Sequence, residues 1–211
     1  MPVAYSAHLA NGNASEASKG YKPTHPGLFE VHFEEGSYRS YLVALRDFPK
    51  DSVIAAFDNA TVSDEIRFST VQVSESQHIE INSDLFYCNH SCDPSVRFVV
   101  SGPAETRVAM AERDIRAGEA LTFFYPSSEW NMNQPFDCHC GTARCLGQIA
   151  GAAHLPVSAL QNYYLNAHIL RLKEKQLRAT GKEESAHEAD ALVAKVQERE
   201  AASSSVAATA A

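Results

Sequence analysis

The most informative segment of this chain of 211 residues is Tyr87-Cys88-Asn89-His90-Ser91-Cys92-Asp93-Pro94, near its middle. Taken alone, its Asn-His-Ser segment is typical of a polar turn, because Asn and Ser favour turns. Three other segments, taken together with it, favour a functional motif over a simple turn. RDFPKDSVI precedes it at 46–54, AGEALTFFYP follows it at 117–126, and a group of three cysteines lies downstream of both.

Those three residues, Cys138, Cys140 and Cys145, belong to a total of five cysteines and form the pattern C-x-C-x4-C. An odd count with such clustering argues against a disulfide framework and favours a metal site in a reducing compartment. Thiolates this close along the chain can converge on one tetrahedral zinc ion. A structural zinc takes four protein ligands, so the fourth must come from elsewhere, and the candidates are Cys88, Cys92 and His139.

Short strands dominate the chain before residue 126. GLFEVHF at 27–33 alternates, so that Phe29, Val31 and Phe33 share one face. Further strand segments, rich in Val, Ile and aromatic residues, are SYLVAL, DFPKDSVIAAF, FSTVQVS, HIEIN, RFVVSG, TRVAMAERDI and ALTFFY. The pattern predicts a mainly β fold with some helix (β+α), and residues 155–179 predict one C-terminal helix.

The charge of the chain limits its partners. A net charge of −8 and a pI near 5.6 disfavour direct binding to nucleic acid and suit a basic partner such as a lysine-rich peptide. No segment approaches the roughly 20 apolar residues of a membrane span, and the N-terminus does not read as a secretory signal. We therefore expect an intracellular protein, nuclear or cytoplasmic, with no membrane partner.

The four motifs in this order resemble the SET-domain family of protein-lysine methyltransferases with its post-SET zinc loop. Asn89-His90-Ser91-Cys92 with Pro94 resembles the NHSCxP signature, and Gly118–Tyr125 is similar to the GEELTxDY strand. The resemblance covers residues 36 to 150, approximately. It implies a SET fold of small curved β-sheets with a pseudoknot, followed by the zinc loop and a C-terminal helix.

This resemblance divides the chain into five parts. They are a flexible N-terminus over 1–25, the SET domain over 26–130, the post-SET zinc loop over 131–151, a C-terminal helix over 152–180, and a charged, low-complexity tail over 181–211.

The family also implies two bound groups, S-adenosylmethionine and a structural Zn²⁺. Among the residues that match its motifs, the cofactor would be bound by Asn89, His90, Tyr87 and Ile149. The fourth zinc ligand would be Cys92, which joins Cys138, Cys140 and Cys145.

The catalytic residue that the resemblance implies is Tyr125, placed beside the methyl sulfonium to orient a lysine amine. Phe123 and Phe124 would form the substrate channel. Methyl transfer is an in-line displacement, so it needs alignment and an uncharged amine. Since the pKa of a free lysine side chain is about 10.4, an apolar channel must lower the pKa of the substrate amine by desolvation.

The predicted function is therefore S-adenosylmethionine-dependent methylation of a lysine Nε in a protein or peptide, histone or non-histone. Two alternatives remain open. Arg39-Ser40-Tyr41 stands where the family's Gly-x-Gly is expected, which favours a degenerate, non-catalytic SET module acting as a protein-binding adaptor. The short chain, without accessory peptide-binding regions, permits a SET-fold enzyme that acts on a small metabolite.

Overall fold

The computed structural model describes residue 15, residues 18–181 and, beyond them, residues 187, 188, 190–192, 194, 195 and 198. The predicted flexible N-terminus (1–25) and the predicted tail (181–211) lie largely outside these residues. Within the described part, no helix combines the length and the apolar character that crossing a membrane requires.

Short strands make up most of the regular structure. They are β1 (Phe29–His32), β2 (Tyr41–Ala44), β3 (Val53–Ala56), β4 (Thr61–Ser63), β5 (Thr70–Gln72), β6 (His78–Glu80), β7 (Asn89–His90), β8 (Val96–Val99), β9 (Val108–Ala111), β10 (Ala120–Phe123), β11 (Phe136–Asp137) and β12 (Gln148–Ile149).

The main sheet has the order β1-β2-β10-β8-β9-β3, and β7 also pairs with β10. Strand β10 is central, because it runs antiparallel to β2 and parallel to both β7 and β8. Two smaller sheets flank it: β4-β6-β5 and the ribbon β11-β12. The predicted mainly β fold is confirmed.

The core follows the alternation seen in the sequence. In β1, Phe29 and Val31 are buried while His32 is exposed, as expected when successive side chains point to opposite faces of a sheet. The predicted hairpin of β8 and β9 is present, with Phe98 opposite Ala109. Four strands of two or three residues, β4, β7, β11 and β12, have no sequence signal of their own and were not predicted.

The C-terminal segment is not the single helix predicted over 155–179. It contains a short helix α1 (Val157–Leu160), an irregular stretch, and a longer helix α2 (Ala167–Arg178). Two asparagines explain the break, because asparagine side chains compete with helical backbone bonds. The Asn162 side chain donates to the carbonyl of Ser158, and the buried amide of Asn166 bonds to strand β8 and its neighbours.

Candidate active site

Strand pairing brings together four of the residues singled out in the sequence, Asn89, His90, Phe123 and Tyr125. Because β7 lies parallel to β10, Asn89 is opposite Thr122 and His90 is opposite Phe123. The backbone N–H of Tyr125 then donates to His90 Nδ1 at 3.2 Å. A backbone N–H can only donate, so Nδ1 is the acceptor and the neutral ring carries its proton on Nε2. Burial supports this form by lowering the pKa of His90 to about 4.

These residues line one cavity of about 660 Å³. That volume is in the ordinary range for a small-molecule site, roughly 300–1,000 Å³. Its walls combine aromatic, apolar and amide side chains from β5, β7, β10 and the segment 132–136. The lining residues are Tyr38, Arg67, Phe68, Ser69, Thr70, Val71, Ile81, Leu85, Phe86, Cys88, Asn89, His90, Phe123, Tyr125, Glu129, Met132, Asn133, Gln134, Pro135 and Phe136.

Tyr125 stands among other rings in this cavity. Its ring centroid is 4.7 Å from Phe123 and 6.0 Å from Phe136. Phe123 is fixed from behind, because it stacks on Phe98 with centroids 4.0 Å apart. Burial raises the pKa of the Tyr125 phenol well above its usual range, so the hydroxyl keeps its proton at neutral pH.

The amide of Asn89 contacts the segment that replaces the expected Gly-x-Gly. Its Nδ2 donates to the carbonyl of Ser40 at 3.0 Å. Nearby, Tyr38 has a positive φ of 60°, and its hydroxyl donates to Gln134 Oε1 at 3.1 Å at the rim of the cavity. The replacement segment therefore contacts the candidate site through the backbone of Ser40.

The structure brings Cys92 to the three clustered cysteines. The Sγ atoms of Cys92, Cys138, Cys140 and Cys145 all lie within 4.8 Å of one another. Sulfurs around a tetrahedral zinc with Zn–S bonds of about 2.3 Å are separated by about 3.8 Å, and Cys92 and Cys138 are 3.9 Å apart. These four thiols fit a zinc ion. The other two candidates, Cys88 and His139, lie outside this group in the described chain.

Sequence comparison agrees with this geometry. The SET domain family matches residues 39–126. Methyltransferase flvH of Aspergillus flavus is 39% identical over 148 residues, which are 70% of this chain and 82% of that protein.

The chain belongs to the SET-domain methyltransferase family.

Other SET-domain relatives match over shorter regions. A histone-lysine N-methyltransferase of Aspergillus oryzae, H3 lysine-36 specific, is 40% identical over 68 residues, 31% of this chain and 7% of that protein. Histone-lysine N-methyltransferase ash1 of Drosophila melanogaster is 36% identical over 74 residues, 34% of this chain and 3% of that protein. The chain thus spans only a small part of the two histone enzymes.

Two solved structures resemble this SET-domain chain at low identity. KRYPTONITE, in complex with mCHG DNA and SAH, has a TM-score of 0.44 and 17% identity, over 63% of this chain and 30% of that one. The methyltransferase domain of human SETMAR has a TM-score of 0.43 and 16% identity, over 62% of this chain and 61% of that one.

Three predicted site residues of this SET domain are not among the residues that line the cavity. Phe124 follows Phe123 at the end of an extended strand and therefore points to the opposite side. There it stacks on Tyr163, with ring centroids 3.7 Å apart. The predicted substrate channel thus keeps Phe123 and loses Phe124.

Tyr87 and Ile149, both predicted to bind the cofactor, are in the core instead. Tyr87 is 1% exposed and packs edge-on against Phe33 and Phe86. Ile149 is fully buried opposite Phe136 in the β11–β12 ribbon and packs beside the cysteine cluster. Their apolar character serves packing, which a motif match alone does not distinguish from ligand binding.

Glu129 is a buried acidic residue that lines the cavity and that no sequence pattern predicted. Its Oε1 accepts the backbone N–H of Gln72 at 2.8 Å, and burial raises the pKa of the carboxyl to about 7. No motif marks it, because it lies in an irregular segment after Tyr125. A glutamate in such a segment is ordinarily exposed.

Proposed function

We propose that this chain is an S-adenosylmethionine-dependent methyltransferase that modifies the Nε amine of a lysine in a protein. The observation that carries the proposal is the cavity in which Asn89, His90 and Tyr125 share one aromatic-lined wall. It is supported by membership of a family whose members include histone-lysine methyltransferases.

The residues of the cavity fit such a cofactor and an amine. When bound, the cofactor supplies an activated methyl group on a sulfonium. Asn89 and His90 would contact it from β7, and the cavity volume of about 660 Å³ suits a nucleoside-sized ligand. Tyr125 would hold the amine in line with the methyl group, while Phe123 and Phe136 exclude water and favour the uncharged amine.

We further propose that Cys92, Cys138, Cys140 and Cys145 bind one structural zinc ion. Four thiolates complete a closed tetrahedral site and leave no position for substrate. The ion would hold the β11–β12 ribbon against the segment that carries Asn89 and His90.

The first test is cofactor binding and turnover by zinc-loaded protein. We expect micromolar binding of S-adenosylmethionine by calorimetry, and its loss in Asn89→Ala but not in Asn59→Ala, an exposed turn residue. Labelled cofactor should transfer its methyl group to protein in a cell extract. Well-folded protein that binds no cofactor would instead support the adaptor hypothesis.

Tyr125→Phe separates catalysis from cofactor binding. Loss of the hydroxyl removes the group that orients the amine, so we expect transfer to fall at least about 100-fold while cofactor affinity stays the same. Tyr164→Phe is the matched control, because Tyr164 packs beside Arg97 and is not among the residues lining the cavity. Equal activity of the two variants would contradict the assignment of Tyr125.

A second candidate substrate is a small amine rather than a protein. It stays open because the histone-lysine enzymes match over short regions only, and Methyltransferase flvH, which is covered to 82%, carries no histone in its name. Fractionating the labelled extract distinguishes the two: label in precipitated protein supports the first candidate, and label confined to the acid-soluble fraction supports the second.

A further inference from the structure

The cavity contains a titratable acid that lysine alignment and cofactor contacts by Asn89 and His90 do not explain. Among the described residues that line it, one is acidic, Glu129, and one is a permanently charged base, Arg67. Arg67 is already compensated at the rim, because its Nε and Nη2 both donate to Glu65 Oε2, at 2.9 and 2.6 Å. Ionisation of Glu129 therefore makes the interior of the cavity anionic.

The Glu129 carboxyl is held in place by the protein. Its Oε1 accepts the Gln72 backbone N–H at 2.8 Å, and the next residue, Trp130, donates its backbone N–H to Gln72 Oε1 at 2.9 Å. These two bonds fix the segment against the end of β5. The side-chain hydrogen bonds of Glu129 come from the Gln72 N–H and the Ser128 hydroxyl, and both end on Oε1. Among the described residues, none donates to Oε2.

A buried carboxylate is costly unless a cation or several donors stabilise it. Here Glu129 is 9% exposed, and no lysine or arginine of the described chain forms an ion pair with it. The rings of Phe123, Tyr125 and Phe136 line the same cavity and offer faces that attract cations. A fixed acid in an aromatic-lined cavity is suited to receive an ammonium group.

We propose that Glu129 is the anionic receptor for a primary ammonium group in this cavity and thereby determines which ligands enter it. The inference rests on the proposed function, which supplies two sources of that group: the substrate amine, which enters protonated and loses its proton before transfer, and the amino-acid part of the cofactor. Both present the same chemistry to the carboxylate.

The test uses n-butylammonium, which has the length of a lysine side chain, and n-butanol as its uncharged analogue. Dissociation constants are measured by ligand-observed NMR, with and without S-adenosylhomocysteine. Wild-type protein should bind n-butylammonium at least about 10-fold more tightly than n-butanol. Glu129→Gln keeps the acceptor for Gln72 but removes the charge, so this preference should disappear.

Glu105→Gln is the matched control, because Glu105 is exposed and outside the cavity, and it should retain the preference. Glu129→Asp gives a second variant with the charge withdrawn by one methylene, for which an intermediate preference is expected. Thermal unfolding of each variant establishes that it is folded.

The n-butylammonium and S-adenosylhomocysteine measurements together identify the source of the ammonium group. A loss of n-butylammonium preference with unchanged S-adenosylhomocysteine affinity supports the substrate amine. A loss of at least about 10-fold in S-adenosylhomocysteine affinity supports the cofactor amine. If folded Glu129→Gln changes neither, the inference is overturned. Absence of methyl transfer with the ammonium preference intact would contradict the proposed function and leave this inference supported.

Discussion

At the scale of single residues, the amide of Asn166 connects three parts of the chain. It is fully buried; its Oδ1 accepts the N–H groups of Val100 and Ser101, and its Nδ2 donates to the carbonyls of Phe98 and Ser127. It therefore joins the end of β8, the segment after Tyr125 and the start of α2. A break in the predicted helix is the local consequence of this long-range contact.

Asn166→Ala removes a side-chain partner from four backbone groups, those of the buried Phe98, Val100 and Ser127 and of the half-buried Ser101. The Ser127 carbonyl still accepts the backbone N–H of residue 166. We expect the free energy of unfolding to fall by about 3 kcal/mol or more, because each unsatisfied buried group costs about 1–3 kcal/mol. Urea unfolding measures the change. Asn162 is exposed and its side chain forms local hydrogen bonds only, so Asn162→Ala should cost less than about 1 kcal/mol; equal effects would contradict this assignment.

Gly151 has a steric rather than a polar constraint. Its φ is +108°, and an added Cβ would lie 2.4 Å from the carbonyl oxygen of Trp130. Gly151→Ala should therefore destabilise the protein by more than about 2 kcal/mol, measured by thermal unfolding. Gly118→Ala has a comparable φ of +89° but open space around the new Cβ, so it should cost distinctly less. Similar losses would mean that backbone strain alone sets the cost.

Sequence reasoning reached some of the candidate site and not the rest. The cavity is lined by Asn89, His90, Phe123 and Tyr125. These four could be predicted, because they belong to the motifs that carry the resemblance. Phe124 could have been excluded from alternation along β10 alone. Glu129 could not be found, because its burial depends on the contact with Gln72, which is 57 residues away.

At the scale of elements, the ribbon β11–β12 has little to hold it. Its two strands have two residues each, and an isolated ribbon of this size is marginal in water. Its neighbouring apolar cluster is small, centred on Cys92, Cys138 and Ile149. The sequence predicted the cysteine set and the loop, whereas such short strands carry no periodicity from which to predict them.

A metal ion should therefore account for the order of this ribbon. We expect purified protein to contain one equivalent of zinc by atomic absorption, and Cys145→Ala to lose it. Chelation should increase amide hydrogen exchange in residues 136–149. Cys88→Ala is the matched control, because Cys88 is buried away from the cluster, and it should keep its zinc. Zinc retained by Cys145→Ala would contradict the proposed ligand set.

At the scale of the whole molecule, stability should depend on pH through His168. This buried ring faces the carbonyl of Ser128 with Nε2 and the hydroxyl of Ser101 with Nδ1. Burial is the main cause that lowers the pKa of His168 to about 4. The hydrogen bond to the Ser128 carbonyl and the charge of Glu75 oppose this shift, while His78 and Arg171 add to it. The carbonyl requires a proton on Nε2, so Nδ1 accepts the Ser101 hydroxyl in the neutral form.

The pKa of a histidine in the unfolded chain is about 6.5, so as the pH falls the unfolded chain binds a proton before the folded protein does. The stability contribution is complete above that pH and is lost as the pH falls toward about 4, by up to about 3 kcal/mol. Urea unfolding at pH 7 and pH 4.5 measures it. His168→Gln should flatten this dependence and His154→Gln, an exposed control, should not; identical slopes in both would remove His168 as the cause.

The position of β10 has a consequence for how the chain reaches this structure. The strand that joins β2, β7 and β8 comes last of the four in the sequence, and its contact with β2 links Leu121 to Leu42. Until residues 120–123 are available, the earlier strands expose unpaired edges. Such non-local closure favours slow folding and transient self-association. A truncation ending before residue 120 should therefore aggregate during synthesis rather than yield a smaller folded unit.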